Sequence, residues 1–185
     1  MRQEKVAIFM DVAQKLGELS TCSRRQVGCL LLDSDGVGLS WGYNGVPRNF
    51  PHCTDVPCEG ASLPSGTGLG KCAAIHAEQN AIAWCSDVRQ IHYCFVTSSP
   101  CEHCLKMLMN TTCRELFFRQ IYPGWKDDGD HRWTGDGRRW TLVAQPLTQK
   151  GKHHEERTTL SSRVIQRLPH WGMWRKGGGA SSSRG

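Results

Sequence analysis

Two short segments carry the residues best suited to chemistry: His76-Ala77-Glu78 and Pro100-Cys101-Glu102-His103-Cys104. Cys101 and Cys104 are three apart, so a helix beginning at Pro100 puts both sulfurs on one face of its first turn. The positive end of the helix dipole favours the thiolate form there. One imidazole nitrogen and two thiolates leave the fourth position of a tetrahedral zinc open, which a catalytic site needs and a structural one does not. Water in that position has its pKa lowered to about 7, so hydroxide is available at neutral pH. Glu78 has no ligand duty in this arrangement. It is placed to take a proton from the water and return it to a leaving group, acting as general base and then general acid. The set suits attack of zinc-bound hydroxide on an amine-bearing, amidine-like carbon, where the amine must be protonated before it departs as ammonia. A closed structural zinc knuckle could use the same ligands but has no need of the carboxylate.

These segments need elements to position them. Val6, Phe9, Met10, Ala13 and Leu16 recur at helical spacing and predict an amphipathic first helix over 6–16. Residues 27–33 and 37–44 read as two strands joined by a tight turn at Ser34-Asp35-Gly36. Residues 45–71, rich in Pro, Gly, Ser and Cys, form a long loop, a feature that is usually functional or held by something else. Helical character returns over 72–85, a strand follows over 92–97, a short helix over 101–110 and a strand over 114–121. The order α-β-β-α-β-α-β predicts one α/β layer architecture.

A chain of 185 residues is long enough for one domain with a sizeable core. No apolar run approaches the roughly 18 residues of a membrane span. The first residues carry Glu4 and Asp11 within an amphipathic pattern, unlike a secretory signal, so a cytoplasmic protein with no membrane partner is expected. In that setting ten cysteines point to metal binding more than to disulfides. Cys29, Cys85, Cys94 and Cys113 stand singly among apolar neighbours and read as small buried hydrophobes. Residues 1–121 carry 11 Lys/Arg against 11 Asp/Glu, whereas 122–185 carry 12 against 6, so the whole net charge of +6 lies in the C-terminal third. Such a segment either attracts phosphates and nucleic acid or is a solvated tail. The expected organisation is a catalytic domain over 1–125 and a basic extension over 126–185, with one weak helix near 156–168 and a disordered Gly/Ser end.

The pattern H-x-E…P-C-x-x-C is the signature of zinc deaminases that act on nucleobases. With these residues in hand, the chain resembles the deoxycytidylate (dCMP) deaminases of the cytidine deaminase superfamily, phage-type members in particular, over roughly residues 4–125. The resemblance rests on CSRRQVGCLLLD, GYNGVPRNF, HAEQNAIAWC and FVTSSPCEHCLKML. It implies a three-layer α/β/α cytidine-deaminase-like fold with a mixed, about five-stranded sheet, and hydrolysis of dCMP to dUMP in pyrimidine deoxynucleotide metabolism. It implies catalytic zinc at His76, Cys101 and Cys104 with Glu78 as proton shuttle. Asn44 would hydrogen-bond the sugar or a nearby phosphate, its alternative being a turn residue. Main-chain groups around Ala77 and Ser98 would meet the base. Family members are commonly homohexamers activated by dCTP and restrained by dTTP, with Gly42, Tyr43 and Gly45 near the effector.

Some phage-type members hold an additional structural zinc, for which Cys22, Cys53, Cys58 and Cys72 are the candidates here, with His52 as a substitute; free thiols in a loop are the alternative. A virus-encoded protein acting in a host cell fits this likeness. Tyr122 and Trp125 either line the pocket or pack the core, and Arg24, Arg25, Arg48 and Lys106 are unranked candidates for the substrate phosphate. The sequence departs from the family after Tyr122, which leaves oligomer and effectors open. Two other readings remain: a deaminase editing transfer RNA or a single strand, favoured by the basic C-terminal third, and a non-catalytic zinc module.

Overall fold

Strand β1 (Gly28–Leu32) is buried along its whole length because both of its faces are covered. Its alternation sends Cys29 and Leu31 to one side of the sheet and Leu30 and Leu32 to the other. The computed structural model describes residues 1–123, 125 and 137–143. The expected helix over 156–168 and the Gly/Ser end lie outside them.

β1 pairs antiparallel with β2 (Gly38–Tyr43) on one edge and with β3 (Tyr93–Ser98) on the other. The turn between β1 and β2 falls where the sequence predicts it: Asp33 Oδ1 accepts from the Asp35 and Val37 amides, and Gly36 takes φ +84°. β3 then runs parallel to β4 (Glu115–Gln120), and β4 parallel to β5 (Arg139–Leu142), giving the mixed order β2-β1-β3-β4-β5.

Helix α1 (Gln3–Gly17) lays Val6, Met10 and Ala13 on Leu30, Leu32, Phe95 and Phe117. On the opposite face, α2 (Ala77–Ala83) and α3 (Glu102–Met109) place Ala77, Ala81, Leu105 and Leu108 against Cys29, Leu31, Cys94, Val96, Leu116 and Phe118. Each large apolar side chain so covered contributes about 1.5–3 kcal/mol. The result is the expected α/β/α sandwich. Cys29, Cys94 and Cys113 are buried in it as expected, while Cys85 is half-buried beside the same core.

Two glycines let the helices close on the strands. A Cβ on Gly28 would run into the Ala13 carbonyl oxygen and the Gly17 amide of α1. One on Gly42 would run into the Ala77 carbonyl oxygen and the Ala81 amide of α2.

Two elements differ from the sequence reading. Helix α2 begins at Ala77, not at residue 72, because Ile75 is held extended by a backbone bridge to Gly45 (3.1 and 2.8 Å). Strand β5 comes from a stretch assigned to the extension, so the sheet does not end at residue 125. It is a four-residue edge strand after Gly- and Asp-rich sequence, with too short a pattern to signal itself. Trp140 nonetheless stacks on Phe118 at 5.5 Å, and the Arg138 guanidinium donates to the Cys113 and Met109 carbonyls, closing the end of α3.

Candidate active site

Two helix starts bring the chemistry together. His76 is the N-cap of α2, and its amide donates to Gln79 Oε1 at 3.0 Å, which fixes where that helix starts. Asn80 Nδ2 donates to the Tyr43 carbonyl at 2.8 Å and ties the same turn to β2. Cys101 is the N-cap of α3, with Cys104 on the first turn beyond it. His76 Nδ1 lies 3.4 Å from each of the Cys101 and Cys104 sulfurs. These are the sole three metal-binding donors among the described residues that come within 4.8 Å of one another. Tetrahedral zinc, with nitrogen and sulfur at their usual distances, requires an N···S separation of about 3.5 Å, so the donor set fits the ion.

The protonation pattern fits a cation as well. The hydrogen bond from Cys104 holds the Cys101 thiol down to about 4, with His76 adding to the effect. The same bond, together with burial, pushes Cys104 well above the usual thiol range. The hydrogen bond to Cys101 raises the His76 imidazole. A metal would bind in place of the proton that Cys104 keeps. Beside them, Glu78 sits in the first turn of α2 with only 3% of its surface exposed. Burial pushes its carboxyl up to about 7.

A pocket opens onto this cluster, walled by Ala77, Ser98, Asn44 and Tyr122 among others. Asn44 is buried and its amide is already engaged: Oδ1 accepts from the Val27 amide and Nδ2 donates to the Arg25 carbonyl, both at 2.8 Å. Its side chain therefore braces the segment before β1 while still facing the pocket. Ser98, at 4% exposure, has a buried hydroxyl with no hydrogen-bond partner among the described residues. Leaving such a group unpaired costs about 1–3 kcal/mol, so a ligand is the natural partner. Tyr122 is set by its amide donating to Ser99 Oγ at 2.8 Å and lines the pocket, whereas Trp125 packs in the core against Phe118 and Trp140.

The four candidate cations separate. Arg24 and Arg25 line the pocket. Arg48 stacks over Trp84 at 4.5 Å in a second cleft along β2, and Lys106 pairs with Glu102 at 2.9 Å on α3. Gly42, Tyr43 and Gly45 line that second cleft, not the pocket.

Of the other cysteines, Cys53 and Cys58 meet at 3.4 Å, and the Cys58 amide holds the Cys53 thiol down to about 7. Cys72 is raised by burial, with Cys22 and Cys58 near enough to add to the shift. His52 is exposed. The sequence reading missed Gln79, Asn80 and Ser99; the first of these has a signal, a Gln three residues after a helix cap.

Comparison with known proteins agrees with this geometry. The family profile described as "Cytidine and deoxycytidylate deaminase zinc-binding region" matches residues 3–120. The deoxycytidylate deaminase of Saccharomyces cerevisiae is 30% identical over 124 residues, a match covering 66% of this chain and 39% of that protein. The deoxycytidylate deaminase of Mycobacterium phage D29 is 29% identical over 121 residues, covering 62% and 91%. Among solved structures, a dCMP deaminase of cyanophage S-TIM5 in complex with dCMP and dUMP superposes with a TM-score of 0.59 at 25% identity, covering 77% of this chain and 99% of that one.

Proposed function

This chain belongs to the family of cytidine and deoxycytidylate deaminases that share this zinc-binding region, and from that premise we propose that it hydrolyses dCMP and water to dUMP and ammonia. The observation that carries the reading is the convergence of His76 Nδ1 and the Cys101 and Cys104 sulfurs beside a buried carboxylate. Zinc held by those three residues would supply hydroxide at neutral pH.

The chain's own groups do the rest. Glu78 would take one proton of the water and deliver it to ring N3 as the oxygen bonds to the amine-bearing carbon, then pass that oxygen's remaining proton to the exocyclic nitrogen, so that the C–N bond breaks and ammonia leaves. Its burial keeps bulk water from competing for those transfers. Main-chain groups at Ala77 and Ser98, already fixed by the helix start and the strand end, meet the edge of the base, and Ser98 Oγ gains the partner it lacks. Asn44 keeps one Nδ2 hydrogen for the sugar while its other bonds hold the wall in place. Tyr122 closes the pocket beside them.

In this reading Cys22, Cys53, Cys58 and Cys72 would draw together around a second, structural zinc that holds the long loop; among the described residues they do not form a cluster of three or more donors. The Cys53–Cys58 contact supports it. Metal analysis should give two zinc ions per chain, and one would exclude it. The effector reading, with dCTP and dTTP and a homohexamer, rests on the resemblance and assigns the effector to the second cleft, which Gly42, Tyr43 and Gly45 line. In this reading the protein works on free nucleotides in the cytoplasm, of a host cell if it is virus-encoded.

The test is to offer the purified, zinc-quantified protein dCMP, deoxycytidine and a cytosine oligonucleotide in parallel and follow ultraviolet absorbance. Rapid loss of dCMP is the expected result. Conversion of the oligonucleotide alone would replace this reading with nucleic-acid editing and give the basic C-terminal third a purpose.

A further inference from the structure

No residue of the long loop over 45–71 belongs to the apolar cores on the two faces of the sheet, so something other than core packing must hold it. At Cys53 the chain is shaped locally. The Asp55 and Val56 amides both donate to the His52 carbonyl, at 2.9 and 2.8 Å, which curls the backbone between Cys53 and Cys58. Their sulfurs meet at 3.4 Å, and the Cys58 amide donates to Cys53 Sγ at 3.3 Å. A disulfide spans about 2.05 Å, so bonding asks for a movement of about 1.4 Å shared between two side chains. Residues 54–57 are exposed and Cys58 is half-buried, while Cys53 lies beneath them at 1% exposure. A reagent in solution therefore reaches Cys58 first. The other close pair of thiols, Cys29 and Cys94 at 3.7 Å, is fully buried on β1 and β3 and has no such access.

We propose that Cys53 and Cys58 are a redox-active dithiol whose disulfide, formed by exchange with a low-molecular-weight disulfide of the glutathione type, clasps the long loop. The Cys58 thiolate attacks one sulfur of the small disulfide and expels the other half as a thiolate. Cys53 then attacks Cys58 Sγ of the mixed disulfide and expels the second half. The protein loses two electrons, the small disulfide gains them, and the two cysteine protons end on the two released thiols. The clasp joins both segments of the pocket's outer wall. Ser23 Oγ lies 3.6 Å from Cys53 Sγ, between Cys22 and Arg24, which line the pocket. Beyond Cys58, its carbonyl accepts from the Ala61 amide and the Gly60 amide donates to the Lys71 carbonyl, each at 2.9 Å, next to pocket-lining Cys72. A disulfide takes both sulfurs from any metal, so the oxidised pair and a second zinc exclude each other.

The test equilibrates the full chain, zinc-loaded, across stepped ratios of reduced to oxidised glutathione, blocks the remaining thiols and digests with trypsin. Residues 49–71 then emerge as one peptide that holds Cys53 and Cys58 and no other cysteine. That peptide should become lighter by two hydrogens as the ratio turns oxidising and recover them on treatment with dithiothreitol. Cys29 and Cys94 should remain thiols throughout. In the oxidising buffer the intact chain should melt about 2–8 °C above Cys58→Ser, and Cys85→Ser should match the intact chain.

A Cys53–Cys58 disulfide with one zinc per chain in both states would uphold the clasp and remove the structural zinc. A fall from two zinc ions to one on oxidation would uphold both. Thiols at 53 and 58 that survive oxidised glutathione, or that end as separate glutathione adducts, would overturn the proposal. So would a disulfide that leaves the melting temperature no higher than that of Cys58→Ser. No readout here depends on turnover, so failure of the dCMP reading would leave the clasp standing and failure of the clasp would leave that reading standing.

Discussion

Glu78 and Cys101 lie in the same pocket but should fail in different ways. Glu78→Gln keeps the volume and the buried place of the side chain and cannot cycle a proton. It should retain zinc and lose turnover by about 10²–10⁴-fold. Cys101→Ala removes a ligand and should lose metal and turnover together; zinc analysis beside steady-state rates separates the two. Retained turnover in the Glu78 variant would contradict the assigned shuttle. Ser98 offers a subtler case, because its hydroxyl is buried without a partner. Ser98→Ala should leave the free protein as stable or about 1 kcal/mol more stable while weakening nucleotide binding several-fold, read from melting curves and KM. These residues were legible to different degrees. His76, Glu78, Cys101 and Cys104 announce themselves because their spacing is local. The engagement of Asn44 with Val27 and Arg25 was not legible, since it joins segments that meet only when β2 folds back along β1.

The elements matter to the site through how closely they approach. Helix α2 carries both His76 and Glu78 at its start and rests directly on Gly42 of β2. Gly42→Ala would force that helix outward. It should destabilise the protein by about 1–3 kcal/mol and weaken zinc binding in step, measured by denaturant unfolding and metal titration. Loss of stability with unaltered zinc affinity would show that the two helix starts are less tightly coupled than the packing implies. Most elements could be read from periodicity: α1 from its apolar stripe, and β1, β3 and β4 from runs buried on both faces. The early boundary of α2 was misread because Cys72–Ile75 has helix-forming residues, and the Gly45–Ile75 bridge that holds it extended is a long-range contact. β5 was missed because an edge strand with one packed residue, Trp140, leaves almost no pattern.

At the scale of the molecule, a mixed sheet clad on both faces delivers two helix starts to one place, and the metal ligands occupy those starts. Among the described residues no helix is long and apolar enough to cross a membrane. The excess positive charge falls beyond residue 121, and most of that stretch lies outside the described residues. Composition alone could find that charge but not its use, whereas the fold followed from pattern and motif together. The central proposal is that zinc held by His76, Cys101 and Cys104 lets this chain hydrolyse dCMP. The most direct measurement strips the protein with a chelator, confirms by metal analysis that zinc is gone, and follows dUMP and ammonia from dCMP before and after zinc is returned. The account predicts no dUMP from the stripped protein and recovery with zinc, ammonia and dUMP appearing one for one. Zinc-replete protein that leaves dCMP intact, or stripped protein that still converts it, would contradict the account.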